Sequence, residues 1–258
     1  MNKIKENCKL VADRIDKRVS YTSLSLYQKC PYAFKLGYID KVEVEIINKY
    51  IERGKKLHSD IPAFYDEVEK RGTIFFPEDK NLSYFFRELY TFYVKFLGVD
   101  EAYRYFLTRK NEFELKTDYY LGYIDELRYT PTDEYWILEY KSGFPHKRSI
   151  LSAKTQLGFY VSFFYEKFGV IPKISLVYFG AIKRPIALHP SQDECVLNAL
   201  FLSRLVSDGV KRENFNPNLS SCSFFSRSKK EFFACPFGVQ GYCKFFGGGK
   251  GCEVSKRS

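Results

Sequence analysis

Apolar residues recur at three- and four-residue intervals over residues 44–70, where Ile47, Tyr50, Ile51, Gly54, Leu57, His58 and Ile61 share one helical face. This spacing predicts a long helix with a break near Pro62. A second helix is predicted over 81–97, and a shorter one after Ser20 and Ser23, whose hydroxyls suit an N-cap. Residues 1–20 are charged and read as a loosely helical tail. From Arg109 the period changes. Glu112 to Leu115 alternate polar and apolar. Tyr119 to Tyr129 form a second run with Gly122 inside it, and residues 130–133 read as a turn. Tyr135 to Tyr140 are apolar enough for a strand buried on both faces. A helix over 150–168, a strand over Lys173–Phe179, a short strand at 184–188 and a helix over 191–211 follow. Beyond Asn214 no long period survives. Helices, then strands, then helix, strand and helix indicate an α/β fold with a mixed central sheet flanked by helices.

Composition changes this picture in three ways. Hydrophobic residues make up 45% of the 258, enough for a sizeable core, and no apolar run is long enough to cross a bilayer. The first residues lack the apolar stretch of a secretory leader, so the chain is expected to be intracellular and cytoplasmic, with no membrane association. A net charge of +10 suits a polyanionic partner, because each phosphate contact releases condensed counterions. Seven cysteines in a reducing compartment call for a purpose other than disulfides. Cys222, Cys235, Cys243 and Cys252 crowd the C-terminal end, which points to metal or iron–sulfur ligation. Cys8 and Cys195 read as structural thiols, and His146 and His189 as surface or loop residues.

The candidate chemistry lies on the strands. Glu139 and Lys141 are two residues apart and so project from one face. A tight hairpin would bring Asp125, near the end of the preceding strand, beside Glu139. Two converging carboxylates make a hard oxygen site for Mg²⁺ or Mn²⁺, and a neighbouring lysine can position water or stabilise charge developing on phosphorus. Taken singly, these residues would read as surface charges. Their place at the end of the apolar run Trp136–Leu138 argues for a site.

Gly122 with Asp125, Glu139 with Lys141, Ser142 and Gly143, and Gln156 with Tyr160 form an ordered set preceded by Gly54 and His58. The set resembles the PD-(D/E)XK nuclease superfamily, and within it the RecB-like branch, which includes CRISPR-associated exonucleases and the nuclease domains of helicase–nuclease enzymes. The resemblance extends over roughly residues 20–245. It implies a restriction-endonuclease-like core with an N-terminal helical part and a Cys-rich C-terminal segment. Divided by residue, it implies a tail at 1–20, a helical part at 21–108, a nuclease core at 109–212 and a metal-binding segment at 213–258. It further implies that Asp125, Glu139, His58 and the Tyr140 carbonyl hold the metal. Lys141 would be catalytic, and Gln156 and Tyr160 would orient substrate or the lysine. Glu112 or Glu114 would be an accessory acid.

Many members of that branch carry a [4Fe-4S] cluster held by one N-terminal and three C-terminal cysteines. Cys30, in a Cys-Pro step, and Cys222, after its Asn-Pro lead-in, resemble two of these positions. The wide spacing of the rest departs from the family pattern. The resemblance favours Cys30, Cys235 and Cys243, with Cys222 ahead of Cys252 for the fourth place. The rival is Zn²⁺ on Cys222, Cys235, Cys243 and Cys252, whose intervals of 13, 8 and 9 lack the short knuckle usual in zinc modules. The implied activity is a metal-dependent DNA exonuclease acting on single strands or free ends, in recombination, repair or CRISPR-type processing. Two alternatives stand beside it. One is a non-catalytic nucleic-acid-binding subunit among protein partners in a recombination or CRISPR-adaptation complex. The other is a structure-specific endonuclease.

Overall fold

A computed structural model of the chain describes residues 2–14, 18–44, 49–180, 184–218, 223–226, 231–240 and 243. In chain order the elements are α1 (Asn2–Ala12), α2 (Tyr21–Lys29) and α3 (Pro31–Phe34), which runs into a π-helical turn at Lys35–Ile39. Next come α4 (Lys49–Arg71), α5 (Lys80–Leu97), α6 (Val99–Leu107), β1 (Arg109–Lys116), β2 (Leu121–Tyr129) and β3 (Tyr135–Lys141). They are followed by α7 (Lys147–Phe168), β4 (Lys173–Tyr178), β5 (Ile186–Leu188), α8 (Gln192–Lys211), β6 (Ser223–Ser226), β7 (Glu231–Ala234) and α9 (Pro236–Val239). The chain divides into two compact units. One comprises Met1–Asp13 and Asn48–Leu200, the other Arg14–Ile47 and Phe201–Ser258. Among the described residues no helix is long and apolar enough to cross a membrane.

The first unit is built on a five-stranded mixed sheet in the order β1-β2-β3-β4-β5. Its single parallel pair is β3 with β4, and α7 supplies the crossover that a parallel pair requires. Alternation along the strands divides the two faces. Leu138, Tyr140, Val177 and Phe179 pack into one cluster with Leu57, Ile61, Phe64 and Tyr65 of α4, Phe86 and Tyr93 of α5 and Phe106 of α6. On the other face α7 takes its place. Tyr135 meets the Phe164 ring at 5.1 Å, and Tyr120, just before β2, stacks on Phe163 at 4.4 Å.

Two sequence expectations need correction here, and one helix was not foreseen. The helix α4 runs through Pro62 without a break. Proline removes only the N–H that would have met the His58 carbonyl, and the apolar face of α4 on either side of it is held in the core. The N-terminal residues are not a loose tail, because α1 buries Ile4, Cys8, Val11 and Ala12. Burial pushes the Cys8 thiol up to about 11, with a hydrogen bond to Ser162 partly opposing it. Burial likewise raises Cys195, to about 12, so both thiols stay protonated at neutral pH. Finally, α6 follows α5 directly, separated from it by Gly98 alone, and the apolar spacing did not resolve it as a separate helix.

In the second unit Ser20 caps α2 through a capping box. Its hydroxyl accepts from the Ser23 N–H at 3.2 Å, and the Ser23 hydroxyl accepts from the Ser20 N–H at 3.1 Å. Tyr27 of α2 donates to the Asn214 carbonyl at 2.7 Å. Cys30, Ala33, Leu36 and Phe237 form a buried cluster, with Cys235 and Cys243 packed against it. The strands β6 and β7 pair antiparallel.

Candidate active site

The antiparallel ladder between β2 and β3 runs from Tyr129↔Tyr135 to Glu126↔Leu138 and stops. Asp125 and Glu139 are the next two residues, on strands that no longer pair. On its other edge β3 stays bonded to β4 through Glu139↔Leu176 and Lys141↔Tyr178. Glu139 is therefore held on a rigid strand while the side facing β2 is open. Asp125 turns its carboxylate into that opening, where Oδ2 accepts the Tyr140 backbone N–H at 2.6 Å.

Both carboxylates are removed from water, with 9% exposure for Asp125 and 1% for Glu139. Burial, and after it the charge of Glu139, raises the Asp125 carboxyl well above the ordinary carboxylate range. Lys141 and the Tyr140 N–H oppose that rise. The Glu139 Oε2 atom is buried and has no hydrogen-bond partner among the described residues. A buried carboxylate oxygen left this way, beside a second carboxylate, calls for a cation.

Lys141 supplies part of that charge. Its Nζ donates to Glu139 Oε1 at 2.5 Å and to Gln156 Oε1 at 3.0 Å, and its side chain keeps 30% of its surface exposed. Gln156 Nε2 donates to the Tyr160 hydroxyl at 2.8 Å. That hydroxyl donates in turn to the Tyr123 carbonyl at 2.6 Å, on the strand that carries Asp125. The four-residue spacing of Gln156 and Tyr160 on α7 thus forms a strut from β2 to the lysine. Burial, then the charge of Glu139, pushes the Tyr160 hydroxyl up, so it stays a neutral donor.

Two glycines make this geometry accessible. A Cβ at Gly122 would lie 2.7 Å from the Tyr120 ring and 2.9 Å from that of Tyr160, so only glycine admits the Tyr160 ring against β2. A Cβ at Gly180 would lie 2.3 Å from the Gly143 carbonyl. The N–H of Gly180 donates to that carbonyl at 3.0 Å and the N–H of Phe179 to the Lys141 carbonyl at 2.8 Å. The turn after Lys141 is fixed by these bonds.

His58, on α4, brings Nδ1 to 3.3 Å from Asp125 Oδ1 and 3.1 Å from Glu112 Oε1. His58, Glu112 and Asp125 each offer a ligand atom, all within 4.8 Å of one another. One imidazole with carboxylate oxygens suits Mn²⁺ or Mg²⁺. The site thus brings together Asp125, Glu139, Lys141, His58, Gln156 and Tyr160, with Tyr140 taking part through its backbone. Of the two possible accessory acids, Glu112 reaches the site, while Glu114 lies 3.4 Å from the Tyr123 hydroxyl.

One group was not singled out in the sequence. Arg128 and Glu126 are fully buried on the opposite face of β2. Arg128 Nε donates to Glu126 Oε1 at 2.5 Å, and its Nη2 donates to the Tyr65 hydroxyl at 2.9 Å and the Phe106 carbonyl at 3.2 Å. Tyr140 donates its hydroxyl to Glu126 Oε2 at 2.8 Å. Burial would lower the Arg128 pKa, but Glu126 and the surrounding tyrosines hold it well above the ordinary value, so the guanidinium stays charged. The available signal was a second Glu-x-basic pair at 126 and 128.

In the second unit, Cys30, Cys235 and Cys243 share the cluster around Phe237, and the Asn218 N–H donates to Cys30 Sγ at 3.4 Å. Cys222 and Cys252 lie outside the described residues.

Comparison with known proteins places this geometry. The family model of the PD-(D/E)XK nuclease superfamily matches residues 18–224, which include every side chain of the site. No curated protein matches the sequence. Among solved structures, the crystal structure of SSO0001 is similar at 14% identity, covering 85% of this chain and 88% of that one, with a TM-score of 0.40.

Proposed function

This chain belongs to the PD-(D/E)XK nuclease superfamily, and from that premise we propose that it is a metal-dependent DNA exonuclease of the RecB-like type, acting on single strands or free ends. The observation that carries the reading is the Lys141 ammonium held on Glu139 and Gln156 beside buried Asp125. Asp125, Glu139, His58 and the Tyr140 carbonyl would hold Mg²⁺ or Mn²⁺. The orphaned Glu139 Oε2 and the mixed imidazole–carboxylate donors fit such an ion. When bound, the ion supplies Lewis-acid stabilisation of charge on phosphorus and lowers the pKa of water.

The chain's own residues do the rest. Lys141, partly exposed, presents its ammonium toward the phosphate and orients the attacking water. Gln156 and Tyr160 hold that ammonium at one position, so its orientation is set before substrate arrives. Tyr140 N–H fixes the carboxylate of Asp125. The net charge of +10 favours retention of a polyanion. The motif resemblance supports a role in recombination, repair or CRISPR-type processing, with protein partners of that setting.

End-labelled single-stranded DNA should be degraded in Mn²⁺ and spared in EDTA. Loss of activity in Lys141→Ala and Glu139→Ala is expected, and activity unchanged in both would sink the assignment. Circular single strands separate the alternatives, since cutting a circle requires an endonuclease. An RNA strand of the same sequence tests the DNA preference.

A [4Fe-4S] cluster on Cys30, Cys235, Cys243 and Cys222, with Cys252 as the alternative fourth ligand, belongs to the same proposal. It is supported by the shared cluster of the three described cysteines and by the amide donated to Cys30. Anaerobically purified protein should be brown and carry iron and sulfide. A colourless, zinc-loaded protein would reverse the assignment.

A further inference from the structure

We infer that Glu112 is a further ligand of the divalent ion, on the solvent side of the site; the inference rests on the proposed metal-dependent nuclease reading. Glu112 lies in the middle of β1, where the ladder to β2 is held on either side by Asn111↔Glu126 and Phe113↔Ile124. The same register sets Glu112 opposite Asp125. Its backbone has φ of 47°, a left-handed conformation that a glutamate rarely adopts within a strand.

The side chain reaches the site from this position. Glu112 Oε1 lies 3.1 Å from His58 Nδ1, and Asp125 Oδ1 lies 3.3 Å from the same nitrogen. An imidazole nitrogen carries at most one proton, so two carboxylates converge where there is one donor. A second, independent observation points to a cation here. Glu139, the neighbour that most strongly perturbs Asp125 after burial, has a buried Oε2 with no hydrogen-bond partner among the described residues. Glu112 thus joins Asp125 at His58, and Lys141 is paired with Glu139. Asp125 and Glu139 are buried, and Glu112 is 52% exposed. That places Glu112 on the side from which water and substrate arrive.

The competing role for Glu112 is to orient His58 by hydrogen bonding alone. Glu112→Gln separates the two, because the amide oxygen still accepts from Nδ1 but the anionic ligand is gone. Mn²⁺ binding to the purified full chain, without nucleic acid, is followed by electron paramagnetic resonance and calorimetry. Glu112→Gln is expected to raise the Mn²⁺ Kd about tenfold or more. Glu112→Gly should weaken Mn²⁺ at least as much, while its metal-free Tm rises above wild type, because glycine adopts φ of 47° without strain. That pair of results excludes misfolding as the cause. Wild-type Mn²⁺ affinity in both variants, with binding lost in Glu139→Ala, would overturn the inference and leave the nuclease reading standing. Failure of the wild-type chain to bind Mn²⁺, or full binding by Glu139→Ala, would overturn both.

Discussion

The backbone N–H of Tyr140 donates to the Asp125 carboxylate at 2.6 Å, while the hydroxyl of the same tyrosine donates to Glu126 at 2.8 Å on the opposite face of the sheet. One residue of β3 therefore fixes a carboxylate of the candidate site and completes a buried ion pair in the core. The two roles are separable because one uses the main chain and the other the side chain. Tyr140→Phe removes a donor from the fully buried Glu126 and should cost about 2 kcal/mol of stability. Nuclease activity of the folded protein should change little, since the N–H remains. Urea denaturation beside a Mn²⁺-dependent cleavage assay checks both halves. Arg128→Met leaves Glu126 charged and unpaired and should cost more, roughly 3–5 kcal/mol.

The strut on Lys141 predicts graded losses. Lys141→Ala removes the ammonium and should lower kcat by about 10³-fold or more, within the range for a catalytic group acting on the transition state. Tyr160→Phe removes the donor to the Tyr123 carbonyl and the acceptor for Gln156 but leaves the ammonium. It should lower kcat by only about tenfold, with KM for DNA nearly unchanged, as a misplaced group does. Single-turnover rates with saturating enzyme read the difference.

Asp125 makes the metal-free protein pH-sensitive in a defined direction. Its folded pKa is raised above the ordinary 3.8, so between those two values the folded state binds more protons than the unfolded state. Stability therefore falls as pH rises through that window. In EDTA, Tm should decline on going from acid toward neutral pH. Asp125→Asn should flatten that decline and raise the neutral-pH Tm, by about 1 kcal/mol of stability or more, while abolishing cleavage. Mn²⁺ should flatten it in the wild type alone. A Tm in EDTA that rises toward neutral pH in wild type and variant alike would count against the buried carboxylate pair.

The imidazole in the donor set predicts metal choice. Nitrogen ligands favour Mn²⁺ over Mg²⁺ in the divalent series, and carboxylate oxygens accept either. Cleavage should be supported at lower Mn²⁺ than Mg²⁺ concentration, and His58→Ala should narrow that gap. Titrations of activity against each ion, in both proteins, measure it.

Gly122→Ala tests whether the Tyr160 ring must touch β2. The added methyl would sit 2.7–2.9 Å from two rings and push one aside. A loss of about 1–3 kcal/mol is expected from overpacking, together with a fall in kcat like that of Tyr160→Phe. Thermal denaturation and single-turnover cleavage report the two effects.

Much of this was legible in the sequence because it rests on local periodicity. The three-to-four spacing marked α4, α5, α7 and α8, and the apolar runs marked β3 and β4. Gln156 and Tyr160 were readable as a pair because a helix places i and i+4 together. The distinction between Glu126-x-Arg128 and Glu139-x-Lys141 was not readable. Both are acid–base pairs two apart on adjacent strands. Only the register, which sets Glu126 against Leu138 and leaves Asp125 opposite Glu139, assigns one to the core and the other to the open face. Glu112 and Glu114 were equally indistinct, since nothing in the residue names foretells a left-handed φ at 112. The helix α6 was left without an element because it is short and buries only Ala102 and Phe106, and α1 was misjudged because its charged residues flank a narrow buried stripe of Ile4, Cys8 and Val11.

The chain passes between its two compact units at Asp13, at Ile47 and again at Leu200, the last within the continuous helix α8. Neither unit is a single stretch of sequence, so neither can be excised by trimming an end. Removing the C-terminal residues takes away the larger segment of one unit and leaves its other segment, Arg14–Ile47, without it. Limited proteolysis should accordingly yield nicked protein whose fragments stay associated.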